Sequence, residues 1–275
     1  MLRYLLLFTI STVTSEPCSF LYDGQRYDRT AILTIKGLPT NLAINPNNKD
    51  IFFTLIDLDS LHNDDEQTKM DQYFLRNGMP MKIDNVHGQA AAVDAKNNKV
   101  YIASDDGLNV LNKTDKAHFL SLKDEDIVML YKPEHNDELY AVIYPDNEVY
   151  SINLKKNEKK KIDNIPCAFI LAVDANDNIY YECNAKYVKV LLKDFQEPIE
   201  FAGIGRNTAR AMTVDGNNRV VLASNDGLYH LKPDSMIPRK LMNLDYIPSG
   251  ITFDGDDMYL ASNGVIYKYS ADECE

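Results

Sequence analysis

Short apolar segments recur along the chain, and each ends at a polar residue followed by a tight turn and a second β-rich segment. Such runs bounded by turn residues predict β-strands. The residues that end these segments follow one another at spacings of 49, 38, 42, 41 and 39 residues: Asn45, Asp94, Lys132, Asp174, Asp215 and Asp254. A repeat of roughly 40 to 50 residues is typical of a four-stranded propeller blade, so the pattern predicts an all-β, six-bladed β-propeller.

The turn residues agree with this repeat. Asn47-Asn48, Asn97-Asn98 and Asn217-Asn218 fall between first and second strands, and asparagine tolerates the left-handed backbone that tight turns need. Asp106-Gly107 and Asp226-Gly227 fall between second and third strands, where Asp-Gly is a strong hairpin signal. No stretch shows a sustained helical period. A mostly antiparallel sheet structure is therefore expected.

The two ends of the chain predict how the ring closes. The sixth repeat ends after Tyr267-Lys268-Tyr269, one strand short of a blade. The β-rich segment 30–35 precedes the first complete repeat and can supply the missing outer strand, which removes an exposed sheet edge. Antiparallel pairing then brings Cys274 beside Cys18, and we expect a disulfide that locks the closure.

The remaining cysteines, Cys167 and Cys183, fall at the start of an inner strand and at the end of its neighbour. They can form a second disulfide within the fourth blade, and free buried thiols are the alternative. An even number of cysteines in an exported chain favours disulfides.

The N-terminus predicts export. Residues 1–15 combine a basic start, an apolar run from Tyr4 to Ile10 and small residues around a cleavage site after Ser15. The apolar run is shorter than the roughly 20 residues that span a bilayer. We expect a signal peptide over 1–15, a secreted, extracellular protein, and a single propeller domain over 16–275, since no linker divides that range.

Charge narrows the range of partners. The chain has 29 basic and 41 acidic residues and a net charge of −12, which argues against nucleic acid and anionic membranes. The basic run 155–161 is interpreted as a solvated hairpin tip. A monomer is expected.

The candidate ligand site lies at the channel mouth, on the face where inner strands begin. Ligand-binding residues are predicted at the starts of inner strands and in one preceding loop: Asn41, Gln89, Asp126, Phe169, Arg206, Arg210 and Ser249. Arg210 can hold a carboxylate through paired hydrogen bonds, and Phe169 offers a stacking surface, so the pair suggests an acidic aromatic ligand. Alternatively, Arg210 pairs with Asp126 or another acid and serves the fold.

A glycosylation acceptor occurs at Asn112-Lys113-Thr114. It falls in a turn between third and fourth strands, on the face opposite the predicted ligand site. A glycan on Asn112 would therefore leave that site open.

The sequence contains few features that point to catalysis. A calcium ion takes 6–8 oxygen ligands, and among the residues that start inner strands only Asp126 is acidic, with Asn41 and Gln89 adding amide oxygens. No histidine pair has zinc-ligand spacing. Of the five histidines, His87 lies closest to the predicted channel mouth, where it could act as a base or serve only as a polar loop residue. No nucleophile–base pair is visible, so no metal, no cofactor and no enzymatic activity are expected.

The whole chain resembles the insect ommochrome-binding proteins. The resemblance rests on Cys18, the stretch 23–27, the blade segment 89–94, the turn 224–229 and the ending 261–269. It implies a secreted haemolymph carrier of ommatin-type pigments, which are planar, aromatic and acidic. These motifs describe blades and assign no pigment contacts.

Three hypotheses follow, in this order. The first is a small-molecule carrier with an ommochrome or a related metabolite at the channel mouth. The second is a calcium-dependent, lactonase-like or esterase-like propeller hydrolase. The third is a protein-binding secreted propeller that uses the acidic insertion at 57–71.

Overall fold

The computed structural model describes residues 18–62, 68–156, 158–271 and 274. The proposed signal peptide, 1–15, lies outside the described residues. An N-terminal hairpin consists of β1 (Phe20–Tyr22) and β2 (Gln25–Thr34). Blades one to three contain β3 (Leu38–Ile44), β4 (Ile51–Ile56), β5 (Met70–Arg76), β6 (Met79–Lys82), β7 (Gly88–Asp94), β8 (Lys99–Ser104), β9 (Gly107–Leu111), β10 (Ala117–Ser121), β11 (Ile127–Tyr131), β12 (Glu138–Ile143), β13 (Glu148–Asn153) and β14 (Glu158–Lys161). Blades four to six contain β15 (Ile170–Val173), β16 (Ile179–Cys183), β17 (Tyr187–Leu191), β18 (Ile199–Glu200), β19 (Ala209–Val214), β20 (Val220–Ser224), β21 (Gly227–Lys232), β22 (Ser235–Asn243), β23 (Gly250–Asp254), β24 (Asp257–Ser262) and β25 (Val265–Ser270).

Each blade is an antiparallel sheet, and the six inner strands β3, β7, β11, β15, β19 and β23 contact one another in cyclic order. The predicted six-bladed propeller is confirmed. The connection from β4 to β5 contains a short 3₁₀ helix, Leu58–His62.

The N-terminal strand closes the ring as expected. β2 pairs with β25 as the fourth strand of blade six, with Arg29 opposite Tyr269 and Thr30 opposite Lys268. The structure adds a fifth strand, because β1 folds back on β2. Sequence patterns did not predict β1, whose three residues are too few to show a period.

The core lies between the blades rather than in the channel. In the described part of the chain, each of the six interfaces between neighbouring blades holds one apolar cluster. At the first interface, for example, Phe52 and Phe74 of blade one pack with Ala91 and Ile102 of blade two. Successive residues of an inner strand pack into different interfaces, as Ala91 of β7 does at the first interface and Ala90 and Ala92 do at the second. The free backbone edge of that strand faces the channel.

The polar residues that end the inner strands hold the turns that follow. The Asp174 Oδ1 atom accepts hydrogen bonds from the backbone N–H groups of Asn176 and Asn178, at 2.9 and 3.0 Å. The Oδ1 atoms of Asn45, Asp94 and Asp215 likewise accept from backbone N–H groups of the turns that follow them. Blade three differs, because Lys132 donates instead to the carbonyl oxygens of Pro133 and Asn136, at 2.7 and 2.6 Å.

Both expected disulfides are present. Cys18 bonds to Cys274 and Cys167 bonds to Cys183, with Cα–Cα distances of 5.4 and 5.6 Å. The alternative of free buried thiols is wrong. Two disulfides are compatible with an exported protein. No helix in the described ranges is long and apolar enough to cross a membrane.

Candidate functional site

A cavity of about 570 Å³ runs along the central channel. Its walls mix polar and apolar surface in similar amounts and come from all six inner strands, including Leu42, Ala91, Met129, Val173, Met212 and Phe253. Its volume falls within the roughly 300–1,000 Å³ of pockets that bind small organic molecules. The cavity is therefore the main candidate site of the fold.

The cavity extends to the face where the inner strands end, which we name the lower face. The turns that follow the inner strands line it there, among them the turn 133–135 of blade three and Ala175 of blade four. Lys132, Glu134 and His135 bring charged or titratable groups to this end. The face where the inner strands begin is the upper face.

The predicted ligand-binding residues lie mostly outside this cavity. Asn41 lines it. The remaining six are not among its lining residues in the described structure: Gln89, Asp126, Phe169, Arg206, Arg210 and Ser249. The sequence located the channel, but it did not indicate that the cavity would extend to the lower face.

Three of the predicted residues form a hydrogen-bonded chain across blades one to three on the upper face. The Asn41 side-chain amide donates to the backbone carbonyl oxygen of Gln89 at 2.7 Å. The Gln89 side-chain amide donates to Asp126 Oδ1 at 2.5 Å. These contacts satisfy the polar groups among themselves and link neighbouring inner strands.

Arg210 and its predicted partners do not form a pocket. The Arg210 guanidinium donates to the Asn225 side-chain oxygen at 2.6 Å and to the Asn207 carbonyl oxygen at 2.9 Å. These two contacts, rather than an ion pair with Asp126, hold Arg210 in the described structure. Arg206 is exposed, and 47% of Phe169 is exposed.

The last predicted residue, Ser249, has a structural contact. Its hydroxyl donates to the Pro39 carbonyl oxygen at 2.6 Å, which joins blade six to blade one. Asn112, the candidate glycosylation site, caps its own turn by accepting from the Thr114 backbone N–H at 2.8 Å. That turn shares the lower face with the open part of the cavity, and glycosylation stays a prediction.

The upper-face residues do not fit a calcium ion. The predicted ligand residues on this face supply one carboxylate, Asp126, which already accepts the Gln89 amide, whereas calcium needs 6–8 oxygens. Within the described residues, no group of three or more histidine, cysteine, aspartate or glutamate side chains is arranged to hold a metal. We therefore derive no chemical step through calcium.

A histidine–carboxylate pair at the lower face was not found from the sequence. The His135 Nε2 atom lies 2.7 Å from Asp177 Oδ1. Asp177 also accepts from Lys193 Nζ at 2.7 Å and from the Asn136 side-chain amide at 2.8 Å. The sequence feature that could have pointed to this pair is the blade-three turn, where Lys132 replaces the acid or amide of the other blades.

The environment of Asp177 keeps it ionised. Burial alone would raise the pKa of Asp177, but hydrogen bonds from Lys193, His135 and Asn136 lower it to about 2. Since the folded pKa lies below the unfolded value of about 3.9, Asp177 stabilises the fold above that value. Its contribution is lost as pH falls from about 4 to 2.

We therefore expect wild-type stability to fall more steeply than that of Asp177→Asn between pH 5 and 2. Urea unfolding at several pH values in this range measures the difference. Parallel pH profiles of the two proteins would contradict the assignment.

No protein-family model and no curated protein sequence matches the chain. Solved structures with a similar fold include a gluconolactonase from Xanthomonas campestris, with a TM-score of 0.69 and 10% identity over 88% of this chain and 89% of that one. A calcium-binding protein, regucalcin, from Agrobacterium tumefaciens has a TM-score of 0.65 and 12% identity over 88% and 93%. A luciferin-regenerating enzyme has a TM-score of 0.62 and 11% identity over 89% and 95%. At these identities the likeness shows the propeller fold alone.

The expectation that the chain is not an enzyme is corrected by these findings. The similar structures include proteins named as a gluconolactonase and as a luciferin-regenerating enzyme. The expectation relied on finding no nucleophile–base pair close together in sequence, but a propeller assembles its site from different blades. None of the three names concerns ommochromes, and that resemblance stays a prediction.

Proposed function

We propose that this chain is a hydrolase of small lactones or esters that bind in the central cavity. The observation that carries the proposal is the cavity itself, about 570 Å³ in volume and walled by six inner strands, with titratable groups at its lower end. The propeller fold shared with a gluconolactonase supports the choice of reaction by analogy.

A lactone or ester carries no charge before it reacts, so it can lie against the apolar side chains of the inner strands without the cost of burying a charge. Negative charge develops on the carbonyl oxygen only when water adds to the carbonyl carbon. Lys132 lines the cavity and uses two of its three N–H donors on Pro133 and Asn136, so one donor is left to stabilise that oxygen.

The first test is hydrolysis by the purified full-length protein. Gluconolactone, δ-valerolactone and phenyl acetate, followed by pH-stat titration, should show saturable turnover. Because the donor set on the upper face does not fit calcium, we expect equal rates with added calcium and with the chelator EGTA. A rate that disappears in EGTA would contradict metal-independent hydrolysis.

Narrowing the lower opening should lower activity. Ala175 is exposed and lines the cavity, so Ala175→Trp places a large ring at the mouth. We expect kcat/KM to fall about tenfold, equivalent to about 1.4 kcal/mol of transition-state stabilisation. The matched control is Ala202→Trp, at an exposed alanine that does not line the cavity.

The carrier hypothesis makes a different prediction in the same experiments. It requires saturable ommatin binding, seen as a shift in visible absorbance, with no turnover of any lactone or ester. That combination would contradict the proposed hydrolase. Export of the chain, inferred from residues 1–15, also stays a prediction.

A further inference from the structure

We infer that His135, positioned by Asp177, is the general base that activates water at the lower end of the cavity. This inference rests on the proposed hydrolase function and identifies the residue that would carry its chemistry. His135 lines the cavity, while Asp177 lies behind it on the neighbouring blade.

The contact with Asp177 sets which ring nitrogen carries the proton. An ionised carboxylate can only accept hydrogen bonds, so Nε2 of His135 donates to Asp177 across 2.7 Å. The Asn136 Nδ2 atom lies 3.1 Å from the same ring nitrogen, but its hydrogen bond is to Asp177, at 2.8 Å. Nδ1 then keeps its lone pair. No described residue hydrogen-bonds to that nitrogen, which leaves it available to a water molecule or substrate. A carboxylate that fixes the tautomer and orientation of a histidine assists that histidine as a general base.

Asp177 is itself held firmly. It lies in the turn between β15 and β16 with a left-handed backbone φ of 62°. Lys193, from the connection after β17, bonds to its second carboxylate oxygen, and the Asn136 amide bonds to the first. The carboxylate is therefore fixed by blade four and by the blade-three turn together, and it can orient the ring without moving.

The blade-three turn departs from the repeat at this place. The corresponding residues in the other five blades are acids or amides: Asn45, Asp94, Asp174, Asp215 and Asp254. Blade three has Lys132, followed by Pro133, Glu134 and His135, and all four line the cavity. Local departures from an otherwise consistent pattern tend to occur at functional sites.

The reaction balances with water as the sole co-reactant. The water oxygen bonds to the carbonyl carbon, the C=O π electrons move to the oxygen, and Nδ1 of His135 takes the water proton. When the tetrahedral intermediate collapses, the C–O bond to the leaving alkoxide breaks. The imidazolium returns its proton to that oxygen, which yields the hydroxy acid from a lactone, or the acid and alcohol from an ester.

Asp177 bonds to the ring, Lys193 bonds to Asp177, and Glu134 and Lys132 belong to the same turn as His135 and line the same cavity. Asp177 and Glu134 stabilise the imidazolium that forms during the step, whereas Lys193 and Lys132 oppose it. Lys193 is already paired with Asp177, and Lys132 is bonded to two carbonyl oxygens. Protonation of His135 should produce the acid limb of the pH–rate profile.

The decisive variant is His135→Gln. Glutamine keeps an N–H that can bond to Asp177, and so preserves the link between blades, but it cannot accept a proton as a base. We expect kcat to fall about 10²- to 10³-fold, with an unchanged Tm and no acid limb in the remaining activity. Asp177→Asn should lower kcat as well but keep the acid limb, because the base remains.

His118→Gln is the matched control, since His118 is exposed and its ring contacts Asn112. It should behave as wild type. A second measurement does not depend on turnover: diethyl pyrocarbonate should acylate His135, and a competing δ-lactam should protect it, as read by peptide mass spectrometry.

The outcomes separate the two proposals. If the wild type turns over substrate and His135→Gln keeps that rate within twofold, the assignment of His135 as the base is wrong and the proposed hydrolase function remains. Wild-type protein without turnover would overturn the hydrolase and the base with it. Should His135→Gln fail to fold, labelling of wild-type His135 that the lactam does not reduce would overturn the assignment.

Discussion

Replacing both Cys18 and Cys274 with serine should lower the free energy of unfolding by about 5 kcal/mol. The two residues are 256 positions apart, so their bond closes a loop that includes nearly the whole described chain. A cross-link restricts the unfolded chain more as the loop grows, and this loop is long. The bond also fastens the N-terminal segment to the end of the last blade.

The second disulfide supplies a control within the same protein. Cys167 and Cys183 are 16 residues apart, and their loss should cost about 3 kcal/mol. Urea unfolding of both double-serine variants, followed by circular dichroism, gives the two values. Equal losses would show that local contacts, rather than loop length, determine what the Cys18–Cys274 bond contributes.

The closure retains other contacts when this disulfide is absent. β2 still pairs with β25, and Asp23 in the hairpin turn still accepts hydrogen bonds from Arg239 and from Arg219. The double-serine variant should therefore still fold, with lower stability. Its unfolding curve should stay cooperative, because the ring is closed by strand pairing and only reinforced by the disulfide.

The propeller could be predicted because its signals are local and repeated six times. The spacing of the strand-ending residues, the Asp-Gly turns and the missing last strand each report on the same architecture. The predicted pairing of Cys18 with Cys274 followed from strand direction alone. Strand β1 escaped prediction because three residues carry no measurable period.

The site could not be predicted in the same way. The channel is lined by the edges of the inner strands. The position of its opening therefore depends on how the six blades tilt relative to one another, and no single sequence segment determines that tilt. Side chains on the upper face bond to one another, as Gln89 does to Asp126. His135 and Asp177 are 42 residues apart in sequence, one blade repeat, and only the ring places them in contact.

Arg76→Met should lower the free energy of unfolding by about 3–5 kcal/mol, a large loss for a single ion-pair substitution. The Arg76 guanidinium bonds to Asp50, whose side chain is only 2% exposed, with Nη2 and Oδ2 2.6 Å apart. It also bonds to Asp115 at 2.8 Å, which joins blade one to blade two. Methionine keeps much of the packing over Phe74 but leaves a buried carboxylate without its cation.

The surface pair of Lys36 and Asp59 provides the comparison. Their side chains are 83% and 71% exposed, so Lys36→Met should leave the free energy of unfolding close to that of the wild type. Adding Asp50→Asn to Arg76→Met should recover part of the loss, because the cost comes mainly from the uncompensated charge. Urea denaturation of the wild type and these three variants tests this account. No recovery in the double variant would mean that lost packing and the broken Asp115 link determine the destabilisation.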